Sequence, residues 1–384
     1  MRRFRFGHEG LTFGCMVMAA GMGSCAPGRE AAPGIERARE PSASVRPAER
    51  IKAFCVDFNW GPGGPNGFAP PGLYAQADPE AHLRWYRELG VNTIQTFCVS
   101  CCGYAWYKDS SVAPVQPGLA HDFLPVLTTR AHAEGLRVMG YFCVAANTYW
   151  GQTHPDLSYG TPSSPHIPLT TTYLDYLCAS IADALRKTDI DGFMIDWVFN
   201  LSYQRGARSQ WLDCEQAMYE ELMAEPFPGK KSIDEATEIE FHRRAVERCW
   251  TRIHKTAKSI RPDCIVWLSC HDLEHPQVAG SRMLREIDWL MNEHPDPAHL
   301  ESVRETVGPH TRVIQCLCGW GQKHDAAKVI DDPRFNAVGL YGFAWPDPET
   351  TLPPTLAEAG DDERAVGNAR NIETLRRAFH EGAR

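Results

Sequence analysis

The chain reads as an α/β protein built on a single (β/α)8 barrel, and three observations point there. Eight short apolar runs, most followed by a helical pattern, alternate along residues 51–384. The runs are apolar throughout rather than alternating, as parallel strands covered on both faces are. Several end in a carboxylate or an aromatic residue, which is how a barrel strand delivers a side chain to its C-terminal rim. A doubly wound open sheet would share the alternation but would need a Gly-rich turn leading straight into a helix. The first turn, residues 61–67, is Gly-rich yet runs into Pro70 and Pro71 instead.

The first strand is expected over residues 53–60. A helix follows from Asp78 and Pro79, a good cap and first-turn pair, to Leu89, where Gly90 stops it. The second strand is expected over 93–99, with a helix over 122–134 stopped by Gly135. The third spans 137–144 and leads through a long loop, 148–169, to an amphipathic helix over 172–187. The fourth, 192–198, leads through a second long loop, 201–232, to a helix over 233–260 that ends at Arg261-Pro262. The last four strands are expected over 265–269, 289–291, 312–317 and 337–344, with a closing helix over 362–380. The two long loops leave the catalytic face and carry Tyr149, Trp150, Tyr159, Tyr203 and Trp211, so they are expected to wall a pocket.

Residues 1–25 have the order of an export signal: a basic start (Arg2, Arg3, Arg5), a short apolar run, then Met22-Gly23-Ser24-Cys25. Cys25 stands where a bacterial lipoprotein carries its lipid, so a lipid anchor there is the expected membrane contact. The protein is expected outside the cytoplasm, in the periplasm or at the cell surface. Residues 26–50 are rich in Ala, Pro, Arg, Glu and Ser and cannot bury a core, so they read as a disordered tether.

Net charge is −9 with the signs mixed and no basic stripe, which argues against nucleic acid as a partner. The fourteen cysteines include the weak metal spacings 101–102 and 316–318 but no paired C-x-x-C. Cys98, Cys143, Cys270, Cys316 and Cys318 lie in apolar strands and read as buried thiols; disulfides and a metal site are the alternatives. No cofactor is expected.

The strand ends carry the chemistry. Asp57 and Trp60 follow the first, Tyr104 the second, Asn147 and Trp150 the third, and Asp196 and Trp197 the fourth. His271 and Asp272 follow the fifth, Glu293 the sixth, and Trp345 the eighth. Carboxylates among aromatic rings suit a carbohydrate: rings stack on sugar faces while two carboxyl groups divide nucleophilic and acid/base work. Asp196 is the expected nucleophile. Glu293, then Asp272 and Glu274, are the candidates for acid/base. Asp57, Trp60, Tyr104, Asn147, Trp150, Trp197, His271 and Trp345 are the candidate substrate contacts. Asp196 has a bland alternative as a partner of Arg205, His271 as a structural histidine, and each Trp as packing.

The order of motifs resembles the retaining α-L-fucosidases of glycoside hydrolase family twenty-nine and their uncharacterised relatives. The matching stretches are Phe58-Asn59-Trp60-Gly61-Pro62, residues 103–110, residues 133–142, Asp191-Gly192-Phe193-Met194-Ile195-Asp196, and Arg261-Pro262-Asp263. The resemblance covers roughly residues 53–270 and implies a barrel in which Asp196 is the nucleophile. Asn59 stands where the family has histidine, and Ser100, Cys101 and Cys102 replace its second-strand histidines. Those histidines hold fucose hydroxyls, so the resemblance implies an altered sugar specificity.

The leading expectation is a retaining exo-glycosidase acting on an oligo- or polysaccharide. A non-catalytic glycan-binding barrel at the cell surface is the second, favoured by the replaced histidines. A metal-dependent hydrolase using Cys and His near His271 and Cys316 is the third.

Overall fold

The computed structural model describes residues 49–381, apart from 63, 65–66, 161–165, 199–210, 231, 271, 295, 297, 319–325, 327–329, 331 and 335–337. The expected export signal, the tether and Cys25 lie outside the described residues.

The eight strands are β1 (Lys52–Val56), β2 (Thr93–Gln95), β3 (Arg137–Cys143), β4 (Gly192–Asp196), β5 (Ile265–Cys270), β6 (Trp289–Asn292), β7 (Arg312–Cys318) and β8 (Gly339–Ala344). All neighbours pair in parallel, and β8 closes on β1 with Lys52 opposite Leu340 and Val56 opposite Ala344. Closure leaves no sheet edge. The strands are buried because helices cover them outside and side chains fill them inside. Gln95 and Tyr341 meet across the interior, the phenol donating to the amide oxygen at 2.8 Å.

Among the described residues the helices are α1 (Pro79–Leu89), α2 (Phe123–Ala133), α3 (Thr148–Thr153), α4 (Thr171–Lys187), α5 (Asp213–Met223), α6 (Glu235–Ile260), α7 (Arg282–Glu286), α8 (His299–Thr306) and α9 (Glu363–Glu381). Local chemistry accounts for their ends. The Asp78 carboxyl accepts from Glu80 N at the start of α1, and Gly90 ends it at φ 85°. Asp234 caps α6 by accepting from Thr237 N at 2.7 Å.

Strand cores fall where the apolar runs predict. The ends differ at β1 and β2. Residues 58–60 turn away from the sheet, with Asn59 N donating to Asp57 Oδ1 at 2.9 Å. Beyond Gln95 the chain stays against β3 less regularly, with Thr96 N donating to Met139 O at 2.9 Å and isolated bridges from Val99 to Phe142 and to Ala105.

The long loops are more ordered than their composition suggests. The first holds α3 and a 3-10 turn, Pro155–Leu157. The second holds α5, which sequence periodicity does not single out. It is anchored by Glu215, whose carboxylate accepts from Tyr159 OH at 2.6 Å and from Leu212 N at 2.9 Å. Trp211, Tyr219 and Phe241 form a small satellite core beneath it. Tyr159 and Trp211 are therefore packing residues, while Tyr203 lies outside the described residues.

Gly192 shows why the fourth strand opens on glycine. A Cβ there would sit 2.0 Å from Ile265 O, so β4 and β5 can pair at this register only without a side chain.

Candidate active site

Three carboxylates reach the C-terminal rim from non-adjacent strands. Asp196 is the last residue of β4, Glu293 follows the last residue of β6, and Asp57 follows β1. All three line one cavity together with Asn59, Trp60 and Trp197. Its free space is about 30 Å³.

Backbone geometry fixes each of them. Asp196 O accepts from Val144 N at 2.9 Å, extending the β3–β4 ladder to the rim. Asp57 N donates to Ala344 O at 2.9 Å, doing the same between β1 and β8. After β6, Asn292 holds the turn: its Oδ1 accepts from His294 N at 3.2 Å, and its Nδ2 donates to Gln315 Oε1 at 2.9 Å.

The hydrogen bonds on Asp196 come from neutral donors. Tyr141 OH donates to Oδ2 at 2.9 Å, and Trp197 N donates to Oδ1 at 2.8 Å. The second bond requires an unusual backbone, since Trp197 sits in the left-handed region at φ 58°. For a bulky residue this costs on the order of 1–3 kcal/mol, and such strain collects at functional sites. Ser269 Oγ donates to Glu293 Oε1 at 2.5 Å. Asp57 accepts from Asn59 N and from the Trp60 side chain.

Burial pushes the Asp196 carboxyl up to about 7, and the Glu293 charge adds to the rise. The hydrogen bonds from Tyr141 and Trp197 oppose it. Burial likewise raises Asp57 to about 7. The pit therefore retains protons close to neutrality, because packing three carboxylates in low dielectric disfavours full ionisation.

Other candidates fall elsewhere. Asp272 does not line this cavity; it accepts from Glu274 N at 3.1 Å, and Glu274 in turn accepts from Ser302 Oγ at 3.4 Å. Asn147 caps α3 by accepting from Trp150 N at 2.8 Å. Trp150 is buried, stacked on His154 with ring centroids 3.7 Å apart. Tyr104 packs edge-on against Tyr149, centroids 5.5 Å apart. Trp345 is buried under Gly64, where a Cβ would come within 2.9 Å of the indole. His271, Arg205 and Tyr203 lie outside the described residues.

Tyr141 and Ser269 escaped the sequence reading because each sits inside an apolar run. Ser269 did carry a signal: it is a polar residue near the end of the apolar run Ile265-Val266-Trp267-Leu268, where a strand presents side chains to the rim. Asn59 and the 100–102 segment hold one another. Asn59 Oδ1 accepts from Cys101 N at 2.8 Å, and Ser100 Oγ lies 3.0 Å from Cys102 Sγ.

The described cysteines whose side chains are placed are free thiols, and nearly all are buried. No group of three or more His, Cys, Asp or Glu side chains able to hold a metal occurs among the described residues.

A second space adjoins the first. It measures about 420 Å³ and shares Trp60 and Trp197 with the carboxylate pit.

A closed barrel of eight parallel strands, with acidic residues at its C-terminal rim, is a TIM barrel. A family model described as GHL6, hypothetical glycosyl hydrolase 6, matches residues 78–197, from the α1 cap to the residue after Asp196. Alpha-L-fucosidase isoenzyme 2 from Paenibacillus thiaminolyticus is similar in fold at 17% identity and a TM-score of 0.60, over 85% of this chain and 49% of that one. The chain thus spans about half the length of that fucosidase structure. The PgaB (BpsB) glycoside hydrolase domain from Bordetella bronchiseptica matches at 13% identity and a TM-score of 0.52, covering 84% of this chain and 99% of that one. A beta-galactosidase from the psychrophilic Marinomonas ef1 matches at 11% identity and a TM-score of 0.55, covering 86% and 60%. A search of curated proteins returned no significant match.

Proposed function

We propose that the protein is a retaining exo-glycoside hydrolase, α-L-fucosidase-like but with altered sugar specificity. The observation that carries this is the convergence of Asp196 and Glu293 in one pit, near enough for the charge of Glu293 to raise Asp196.

Ionised Asp196 attacks the anomeric carbon, and the bond from that carbon to the leaving oxygen breaks. Glu293 gives its proton to the departing oxygen. In the second half, Glu293 takes a proton from water, the water oxygen bonds to the anomeric carbon, and Asp196 is released as a carboxylate. This stereochemical course needs the two carboxyl groups roughly 5–5.5 Å apart. Tyr141 OH and Trp197 N donate to Asp196 and oppose the rise that burial causes, which favours its carboxylate form. Asp57 is placed to accept a sugar hydroxyl, and Trp60 and Trp197 offer ring faces. The chemistry requires no cofactor.

Replacement of the second-strand histidines favours one other reading, a barrel that binds a glycan without cleaving it. Residues 1–25 are proposed to export the chain, and Cys25 to anchor it.

The test is hydrolysis of a panel of aryl glycosides (α-L-fucoside, α- and β-galactoside, α- and β-glucoside, α-rhamnoside) with Asp196→Asn as control. Activity on one member, reduced at least about a thousandfold in the variant, supports the enzyme. Glycan affinity that survives in Asp196→Asn, with no turnover by the wild type, supports the binder and overturns the enzyme. Detergent-phase partition of the full chain, lost in Cys25→Ala, tests the anchor.

A further inference from the structure

We propose that the 420 Å³ space beside the carboxylate pit is a leaving-group site for an apolar, planar aglycone, and that it disfavours a second sugar. The proposal rests on the glycosidase reading for the meaning of "leaving group", but not for the binding itself.

Position is the first argument. The carboxylate pit has only about 30 Å³ of free space, so most of a substrate whose reacting bond lies at Asp196 must extend beyond it. The adjoining space is of the size that takes small organic ligands. Trp60 and Trp197 line both cavities, so a molecule with its reacting bond at Asp196 would extend past these two rings.

Lining chemistry is the second argument. One wall is Phe68, Ala69, Pro70 and Pro71, from the segment between β1 and α1; Thr148 and His166 stand among the remaining residues. No charged side chain lines it among the described residues. Burial pushes His166 down to about 4, so its ring is neutral near pH 7. Two of the lining polar groups are engaged, the Trp60 side chain donating to Asp57 and Cys102 Sγ pairing with Ser100 Oγ, while His166 Nδ1 is buried without a partner. A sugar would bring several hydroxyls into this space, and each would lose water with few partners to replace it. A flat apolar group loses nothing of the kind and gains ring contacts.

The rings pack on one another in a continuous aromatic wall. Phe68 lies 5.2 Å from Trp60 and 5.9 Å from Trp197, tilted or edge-on to each. The His166 ring is 5.1 Å from Trp197. Such a wall gives a flat apolar guest a surface to lie against.

The experiment has two arms. The first is calorimetric titration of the full chain with free 2-naphthol, comparing wild type with Phe68→Ala and with Thr148→Trp, which fills the space rather than emptying it. The second compares KM for 2-naphthyl, methyl and disaccharide substrates that share one glycone. The expected result is naphthol binding to wild type that both variants weaken roughly tenfold, the scale of one aromatic contact. The naphthyl KM should rise by a similar factor in Phe68→Ala, while the methyl KM stays within about twofold. Naphthol binding that both variants weaken, with no turnover of any glycoside, keeps the apolar site and overturns the glycosidase. Turnover without naphthol binding, or with the disaccharide preferred over the naphthyl glycoside, overturns the apolar site and keeps the glycosidase. Neither binding nor turnover overturns both.

Discussion

Strands β4 and β6 each carry an acidic residue at both ends, and the two ends behave differently. At the N-terminal rim, Asp191 precedes β4 and Asp288 precedes β6. Asp191 Oδ2 accepts from Val138 N at 2.8 Å and meets His132 Nε2 at 2.9 Å. Asp288 Oδ2 accepts from Val266 N at 2.8 Å and from Lys258 Nζ at 2.9 Å. Each ties a strand to its neighbour and has a basic partner. At the other rim, Asp196 and Asp57 take hydrogen bonds only from neutral donors among the described residues, and burial raises both. One residue type thus ties strands together below and stands buried among neutral donors above. A barrel of this kind keeps stability at the lower face and leaves the upper one for a site.

The largest expected difference is in turnover. Asp196→Asn should abolish hydrolysis, whereas Asp288→Asn should leave activity per folded molecule near wild type. Active-site titration alongside initial rates would show this, and equal losses would erase the distinction between rims.

The next effect is on stability. The folded state holds protons on Asp57 and Asp196 up to about pH 7, and the unfolded chain only up to about 4. Between those values the native state binds more protons. The raised groups therefore make stability fall as pH climbs from about 4 to about 7, and the contribution is gone above that window. Asp57→Asn should flatten the fall and gain on the order of a few kcal/mol at pH 8, with little change near pH 4. Urea unfolding across that range measures it; a gain largest at pH 4 would reverse the sign.

Clamps should show the opposite. Asp288→Ala removes the acceptor for Val266 N and the partner of Lys258, and should cost about 1–3 kcal/mol. The same urea titration would detect a null effect, which would make the N-terminal carboxylate dispensable.

The smallest effect concerns a neutral donor. Tyr141→Phe removes a bond that favours ionised Asp196, so the carboxyl should rise further. The acidic limb of kcat/KM should then move to higher pH by about half a unit to one unit. A limb that stays in place would show that Tyr141 does not hold the charge.

Much of this was legible in the sequence, for unequal reasons. The strand cores are so uniformly apolar that composition alone places them, and Gly90 and Asp78 mark the limits of α1. Asp196 and Glu293 could be found because a carboxylate at the end of an apolar run is conspicuous. Asn147 and Trp150, expected as substrate contacts, are an N-cap and a buried indole in the fold, roles that look the same as ligands when only their position past a strand is known. Helix α5 was not visible because its stability comes from Glu215, which reaches back to Tyr159 across 56 positions. Ser269 and Tyr141 were hidden by the apolar residues around them, since which face a side chain takes depends on barrel closure.

Trp197 gives the site an evolutionary constraint. Its backbone conformation is one that glycine would adopt without cost, yet the indole is what joins the two cavities. Drift toward glycine would relax the chain while removing the wall between reaction centre and vestibule. The Asp57, Asp196 and Glu293 side chains come from β1, β4 and β6, so descendants of this chain can trade the loops after the other strands without disturbing the charges. Position 197 has no such freedom, since one indole serves both cavities.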